Sequence, residues 1–213
     1  MDETTRRQLD KVVACTLRDA GISQPPVNVQ DILDFQKLHR DFFDLEDPSV
    51  LRRFWHRVKV EGHLLVKIVK KIKLSAVWLP DEDRIIVAQD LPKPKQEWAS
   101  FHDLVHCLCE WHRPFFLGDT AQTLEPEYQL LLEEEANYGA SGLMFCGARF
   151  QSEARDVSLD WSGVDILCKR YGKSITTTLR RFVQWGHDHP MVMLVSTPSW
   201  KEAPEGQTER WRH

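Results

Sequence analysis

Apolar residues recur three or four positions apart in several segments of the chain, a spacing that predicts amphipathic helices. The first segment is 4–20, where Thr4 or Thr5 would cap the helix and Gly21 would end it. Further helices are predicted at 29–38, 49–58, 95–111, 127–145, 158–171 and 174–185. The pattern therefore indicates a mostly helical chain.

Strand patterns are fewer and shorter. Residues 74–79 and 84–88 are rich in Val, Ile, Leu and Trp and flank a polar turn, which predicts a β-hairpin. Strands are also predicted at 63–72 and 191–195, whereas the acidic and aromatic segment 41–48 has no clear period. We expect one small sheet within the helical chain.

Size and composition are those of an ordinary globular protein. The 213 residues are 42% hydrophobic and 28% charged, which suffices for one well-buried core. We predict a single domain over 1–197, with a helical part at 1–60, the sheet and the helices of the candidate site at 61–150, C-terminal helices at 151–197, and a flexible tail at 198–213.

Charge and cysteine content exclude some classes of function. A net charge of -4 gives no general attraction to nucleic acid. No apolar run approaches the roughly 20 residues of a membrane span, and the charged N-terminal segment lacks the apolar core of a secretory signal. The chain has five cysteines, and Cys107 and Cys109 are too close for an ordinary structural disulfide. We expect a reduced, cytoplasmic protein that does not contact a membrane.

The candidate chemistry lies in the helix predicted at 95–111. His102 and His106 are four residues apart, so both imidazoles leave one helix face and can bind the same metal ion. Asp103 completes the pattern H-D-x-x-H, one methylene shorter than the H-E-x-x-H of zinc peptidases. Such a pair also occurs as partly buried histidines that hydrogen-bond to their neighbours, so a second element has to support the metal site.

That element is the run Glu133-Glu-Glu-Ala-Asn137 in the helix predicted at 127–145. A catalytic zinc takes three protein ligands and keeps one position for water. Glu133 and Asn137 share a helix face, so Glu133 would be the third ligand and Asn137 would orient a ligand histidine. Glu134 and Glu135 point about 100° and about 200° away from Glu133.

Two alternatives for the metal remain. His112 follows His106 by six residues, as in the metzincin pattern H-E-x-x-H-x-x-G-x-x-H, but Cys109 stands where that pattern has glycine. Cys107 and Cys109 are soft ligands that could belong to a structural Cys/His zinc site, although no second cysteine pair stands at ligand spacing. We prefer Glu133 as the third ligand.

These motifs resemble those of the ImmA/IrrE metallopeptidases, in which a helix with F-t-x-A-H-E-x-x-H precedes E-x-E-A-N-x-F-A-x-x-L-L-M-P. This chain has Gln96-Glu-Trp-Ala-Ser-Phe-His102-Asp-Leu-Val-His106 and later Glu133-Glu-Glu-Ala-Asn-Tyr-Gly-Ala-Ser-Gly-Leu-Met-Phe145. Residues 167–182 are similar to the family's following segment. The resemblance covers 10–185 and implies a minimal zincin-like α+β fold, mostly helical, with the hairpin at about 74–88 beside the H-D-x-x-H helix.

The resemblance also implies one Zn²⁺ per chain, held by His102, His106 and Glu133, with Asp103 in the position of the family's catalytic glutamate. Asp103 would hold its carboxylate about 1.5 Å further from the water than glutamate, and a displacement of about 1 Å can cost on the order of 100-fold in rate. The family's L-M-P is Met144-Phe145-Cys146 here, so the exit of the helix differs.

The implied function is a zinc-dependent endopeptidase that cleaves a transcriptional repressor, a helix-turn-helix protein, in a phage, mobile-element or stress-response switch. Asp103 would be the general base, and the substrate would lie along the edge of the 74–88 hairpin as an added strand. The alternative is a zincin-like domain of attenuated activity that binds a repressor or another protein. Tyr138, His112 and Tyr171 are candidates for stabilising the oxyanion, because phenols and imidazoles donate hydrogen bonds.

A third hypothesis is DNA binding by the helices at 158–171 and 174–185, which have helix-turn-helix length. Five basic residues lie on or between them, namely Lys169, Arg170, Lys173, Arg180 and Arg181. The acidic total favours a solvated basic face, so we do not expect direct nucleic-acid binding.

Overall fold

The computed structural model describes residues 1–44, 76–79, 82–114 and 126–193. Its helices are α1 (Glu3–Asp19), α2 (Val29–Phe35), α3 (Lys93–Leu108), α4 (Pro126–Met144), α5 (Ala148–Arg155), α6 (Trp161–Tyr171) and α7 (Ile175–Trp185), with a 3-10 turn at Glu110–His112. Its strands are β1 (His39–Phe43), β2 (Ala76–Leu79) and β3 (Arg84–Ala88). The described part of the chain has the mostly helical α+β fold that the sequence predicts. The predictions at 49–58, 63–72 and 198–213 lie outside it.

The three strands form one mixed sheet in the order β1-β3-β2. β2 and β3 pair antiparallel, with Trp78 opposite Ile85, which confirms the predicted hairpin. β1 runs parallel to β3 and is not predicted from the sequence. Phe43 is the only buried residue of β1, which lies at an edge of the described sheet. Its sequence therefore lacks the alternation of apolar and polar residues by which a half-buried strand is predicted.

Helix α3 packs against the hairpin and helix α4 and so brings the two histidines into the interior. Its buried face includes Phe101, Leu104 and Val105. The two helices approach closely at Gly139 of α4, where a Cβ atom would lie 2.8 Å from Val105 Cγ1. A larger residue at this position would push α3 and α4 apart, because packed interiors leave little free space.

Side-chain caps determine where the helices begin. Asp2, and not Thr4 or Thr5, caps α1 by accepting a hydrogen bond of 2.8 Å from the Thr5 amide. Gly21 follows the helix with a φ of 71°, a left-handed conformation that costs glycine little. Asp160 caps α6 by accepting hydrogen bonds from the amides of Ser162 and Gly163, so this helix begins three residues later than predicted.

The C-terminal part differs from prediction in two further places. Helix α5 is not predicted, because its eight residues are too few to give a clear helical period. Residues 191–193, the described part of the strand predicted at 191–195, are not in a strand, and Val192 is 91% exposed. Within the described ranges, no helix is long and apolar enough to cross a membrane.

Candidate metal centre

Helices α3 and α4 bring two imidazoles and one carboxylate together. His102 and His106 lie one turn apart on α3, with their Nε2 atoms 3.2 Å from each other. Glu133 of α4 reaches the same point, with Oε2 3.1 Å from His102 Nε2 and Oε1 3.6 Å from His106 Nε2. Each side chain offers one ligand atom within 4.8 Å of the others, so this group of three could hold a metal ion.

The two residues that follow Glu133 point elsewhere, as the geometry of a helix requires. Glu134 Oε2 lies 3.0 Å from the Met1 ammonium nitrogen. Glu135 is only 3% exposed and contacts His112. Glu133 alone of the three faces the histidine pair.

The protonation states of the group favour a bound cation. Burial lowers the pKa of His106 to about 4, so at neutral pH the imidazole is neutral and keeps a lone pair. Burial acts to raise the pKa of Glu133, but hydrogen bonds with both histidines hold it well below its usual value. Burial acts to lower the pKa of His102, yet the Glu133 hydrogen bond and the charge of Asp103 raise it overall. Imidazole nitrogen and carboxylate oxygen are ligands that zinc accepts.

Asn137 orients the ring of His102. It lies one turn after Glu133 on α4, and its Oδ1 is 3.2 Å from His102 Nδ1. An amide oxygen accepts a hydrogen bond, so Nδ1 of His102 is protonated. A metal ion that replaced the Nε2 proton bonded to Glu133 would then meet an Nε2 lone pair directed at the group of three. This contact is of the kind that the sequence predicts for Asn137.

A second contact orients His106, and the sequence does not predict it. The 3-10 turn after α3 places His112 Nδ1 2.8 Å from His106 Nδ1. Glu135 Oε2 lies 2.9 Å from His112 Nε2 and also accepts a hydrogen bond of 2.7 Å from Trp111 Nε1. Because the carboxylate accepts, His112 is protonated on Nε2 and accepts on Nδ1 from His106. The His106 Nε2 lone pair is thereby left for the metal.

This position of His112 argues against the alternative in which His112 is the third metal ligand. Each of its ring nitrogens has a partner, and His112 is not a member of the group of three. His112 therefore lies behind His106 and not among the candidate metal ligands.

The two cysteines near the site are poor candidates for a structural zinc. Burial raises the pKa of Cys107 to about 11 and that of Cys109 to about 12, so both thiols stay protonated at neutral pH and are poor ligands.

Glu135→Gln is expected to weaken zinc binding by up to about 10-fold, the lower end of the range typical for losing a direct partner of a ligand histidine, because Glu135 acts on His106 through His112. Glutamine keeps the shape of the side chain and an acceptor oxygen but not the charge, so it polarises His112 less and leaves His106 a less basic ligand. Competition with a chelating dye measures the zinc affinity. Glu134→Gln is the matched control, since Glu134 faces Met1, and its affinity should equal that of the wild type. Equal affinity in all three proteins would contradict the role of Glu135.

Asp103 is buried beside the group of three but is not a member of it. Its carboxylate accepts a hydrogen bond from the backbone amide of Trp78 in β2. Burial raises the pKa of Asp103 to about 7, although the charge of His102 and the Trp78 amide act to lower it. A carboxyl group with a pKa near neutrality can both take up and release a proton at that pH.

The two tyrosine candidates for stabilising an oxyanion have other partners. Tyr138 donates its hydroxyl hydrogen to Asp10 at 2.8 Å, and Tyr171 donates to Glu153 at 3.0 Å. His112, the third candidate, is fully buried against Glu135. In this arrangement none of the three offers a free donor.

Helices α6 and α7 do not present a continuous basic face. Three of the five basic residues form ion pairs within the chain: Lys169 with Asp165, Arg170 with Glu153, and Lys173 with Glu97. Arg181 is buried. Arg180 is exposed and forms no ion pair with the described residues.

No family model and no curated protein matches the chain. Eight chains of solved structures match it, and one of these is a Mycobacterium tuberculosis transcriptional regulator. The two chains are 15% identical with a TM-score of 0.51, over 82% of this chain and 46% of the regulator. This chain thus spans less than half the length of that protein. At such identity the likeness shows a shared fold and nothing about function.

Proposed function

We propose that the chain is a zinc-dependent endopeptidase of the ImmA/IrrE type that cleaves a helix-turn-helix repressor. The observation that carries the proposal is the convergence of His102, His106 and Glu133 from two packed helices. Two histidines and one glutamate are a ligand set of hydrolytic zinc sites, which need three protein ligands and an open position. The buried acid Asp103 lies directly beside this set.

Different residues of the chain would have different roles in hydrolysis. A bound zinc would act as a Lewis acid and lower the pKa of water to about 7. Asp103 would take a proton from the attacking water and transfer it to the leaving amine, and a carboxyl pKa near 7 suits both steps. Asn137 and His112 would hold the two histidines in the tautomers that leave Nε2 free.

The hairpin supplies a surface for the substrate backbone. Within the described residues β2 is an edge strand of the sheet, and an extended peptide can add to such an edge through main-chain hydrogen bonds. Asp103 contacts the backbone of β2 at Trp78, so the proposed base lies next to this edge. A substrate along β2 would therefore pass close to the proposed catalytic carboxylate.

The test is incubation of the zinc-loaded protein with a panel of helix-turn-helix repressors, followed by mass spectrometry of the products. We expect one repressor to be cut at a defined bond, no cutting after a chelator removes the metal, and recovery when zinc is returned. Failure to cut any repressor that the loaded protein measurably binds would contradict the proposal.

A second function, binding of a repressor without cleavage, is supported by the contact between Asp103 and Trp78. This hydrogen bond joins α3 to the hairpin and gives Asp103 a structural use that needs no catalysis. The shorter side chain of aspartate also weakens the case for an efficient base. In the same assay, a stable complex with an intact repressor would favour this second function.

A further inference from the structure

A large cleft lies between four helices, and the metal chemistry does not account for it. It has a volume of about 1440 Å³ and is bounded by the start of α1, the start of α3, the middle of α4 and most of α7. Sites for small organic ligands commonly measure about 300–1,000 Å³. The cleft is therefore large enough for an organic molecule.

One buried cation in the wall of the cleft lacks hydrogen-bond acceptors at two of its three nitrogens. Arg181 of α7 is only 7% exposed, and within the described residues its Nε and Nη1 atoms have no hydrogen-bond partner. Its guanidinium carbon lies 6.0 Å from the centre of the Tyr138 ring, whose hydroxyl is already bonded to Asp10. A buried charged group without acceptors is costly, so its retention indicates a ligand that supplies them.

The acidic residues around the cleft are already paired. Asp2 caps α1, and the others form ion pairs, namely Glu3 with Arg7, Glu97 with Lys173, and Glu134 with the Met1 ammonium group. None of these carboxylates pairs with Arg181. The charge of Asp10 acts on Arg181, but Asp10 accepts the Tyr138 hydroxyl hydrogen and forms no ion pair with Arg181 within the described residues.

Several other cations in the wall form no ion pair with the described part of the chain. Among the residues that the structure describes, no ion pair is formed by Arg6, Arg40, Lys93, Lys95 or Arg180. The cleft thus carries an excess of positive charge in a chain whose net charge is -4. Such a local excess attracts anions.

Helix α7 adds backbone donors to the same wall. Ser174, Thr177 and Arg181 follow one another at helical spacing and all line the cleft. Ser174 caps α7 by accepting a hydrogen bond from the Thr177 amide, and Ser174, Thr176 and Thr177 line the cleft, so the first turn of this 11-residue helix forms part of its wall. The first amides of a helix and its dipole favour a negative group.

Aromatic side chains form the remaining part of the wall. The Tyr138 and Trp185 rings meet edge to face with their centres 4.8 Å apart, and the Arg6 guanidinium lies 5.6 Å from the centre of the Trp185 ring. Trp98 lines the cleft as well. These rings suit the apolar body of a ligand whose charged end reaches Arg181.

We propose that this cleft binds a small organic anion, with a phosphate or carboxylate group at Arg181 and an aromatic or aliphatic body against Trp185 and Tyr138. Either group can accept charge-assisted hydrogen bonds from the guanidinium nitrogens that have no partner within the described residues. The site requires no metal, so it stands independently of the proposed peptidase activity.

The test titrates the full chain with phenyl phosphate and, separately, with benzoate, followed by tryptophan fluorescence and calorimetry. We expect saturable binding of at least one probe, and the stronger of the two identifies the anionic group. Arg181→Met should weaken that binding by about 10- to 100-fold, because charge-assisted hydrogen bonds are lost. Arg18→Met is the matched control, since Arg18 is exposed and pairs with Asp19, and its affinity should be unchanged.

One more variant and one more comparison complete the design. Arg181→Lys keeps the charge without the planar fork, so it should fold and bind with intermediate affinity. The metal-stripped and zinc-loaded wild type should bind the probe equally, which separates the cleft from the metal site. Absence of saturable binding to the folded wild type would overturn the proposal. So would full affinity in Arg181→Lys together with Arg181→Met.

Discussion

Glu133→Ala is expected to abolish zinc binding. Glu133 is the only carboxylate in the group of three, and its removal leaves two imidazoles for an ion that takes three protein ligands in hydrolytic sites. Elemental analysis after exhaustive dialysis should give about one zinc per chain for the wild type and close to none for the variant.

Two further variants make this result specific. Glu134→Ala changes the next residue of the same helix, which faces Met1, and should retain the full zinc content. His112→Ala should also retain zinc, more weakly, because His112 contacts a ligand and not the ion. Zinc retained by Glu133→Ala but lost by His112→Ala would reverse the two assignments. A wild type without zinc after zinc is supplied would favour the binding function.

The parts of the fold and site that follow from sequence are those governed by local geometry. A spacing of four residues places His102 and His106 on one face of any regular helix. The same helical spacing selects Glu133 over Glu134 and Glu135, because only Glu133 lies four residues before Asn137 and shares its face. The hairpin is likewise local, since its strands are joined by a short polar turn.

The parts that do not follow from sequence depend on contacts between distant segments. The pairing of His112 with Glu135 arises only because a 3-10 turn folds back while α4 packs beside it. The available signal is a tryptophan and a histidine shortly after the helix, together with glutamates in α4 beyond the one that the metal needs. Arg181 is predicted on a solvated face, but α7 packs so that its side chain is buried. No local pattern distinguishes Arg181 from its neighbour Arg180.

Asp103→Asn is expected to lower the rate of peptide cleavage by about 10²- to 10⁴-fold, the range that a general base contributes. The amide oxygen can still accept the hydrogen bond from Trp78, so the fold and the zinc content should be unchanged. Cleavage assays with equal amounts of zinc-loaded protein measure this effect. Cleavage at the wild-type rate would remove Asp103 as the base.

The same substitution should stabilise the metal-stripped protein at high pH. The pKa of Asp103 is raised from 3.8 to about 7 by burial, so the folded state holds the proton more tightly than the unfolded state. The contribution of this proton to the free energy of unfolding is fully present below the unfolded pKa of 3.8. It is lost as the pH rises through the folded pKa of about 7. Asparagine does not ionise, so the free energy of unfolding of the variant should exceed that of the wild type by at most about 4 kcal/mol at pH 8. The difference should vanish near pH 4, as urea unfolding at the two pH values would show.

Asp103→Glu then separates the two proposed functions. Glutamate brings the carboxylate about 1.5 Å closer to the water, and a displacement of about 1 Å can change the rate on the order of 100-fold. A large gain in cleavage would mean that the native aspartate attenuates a competent zinc site, which favours regulation by binding. A loss would mean that the pocket beside Trp78 is shaped around aspartate, because an added methylene in a packed interior displaces its neighbours. The native protein would then be a peptidase adapted to the shorter base.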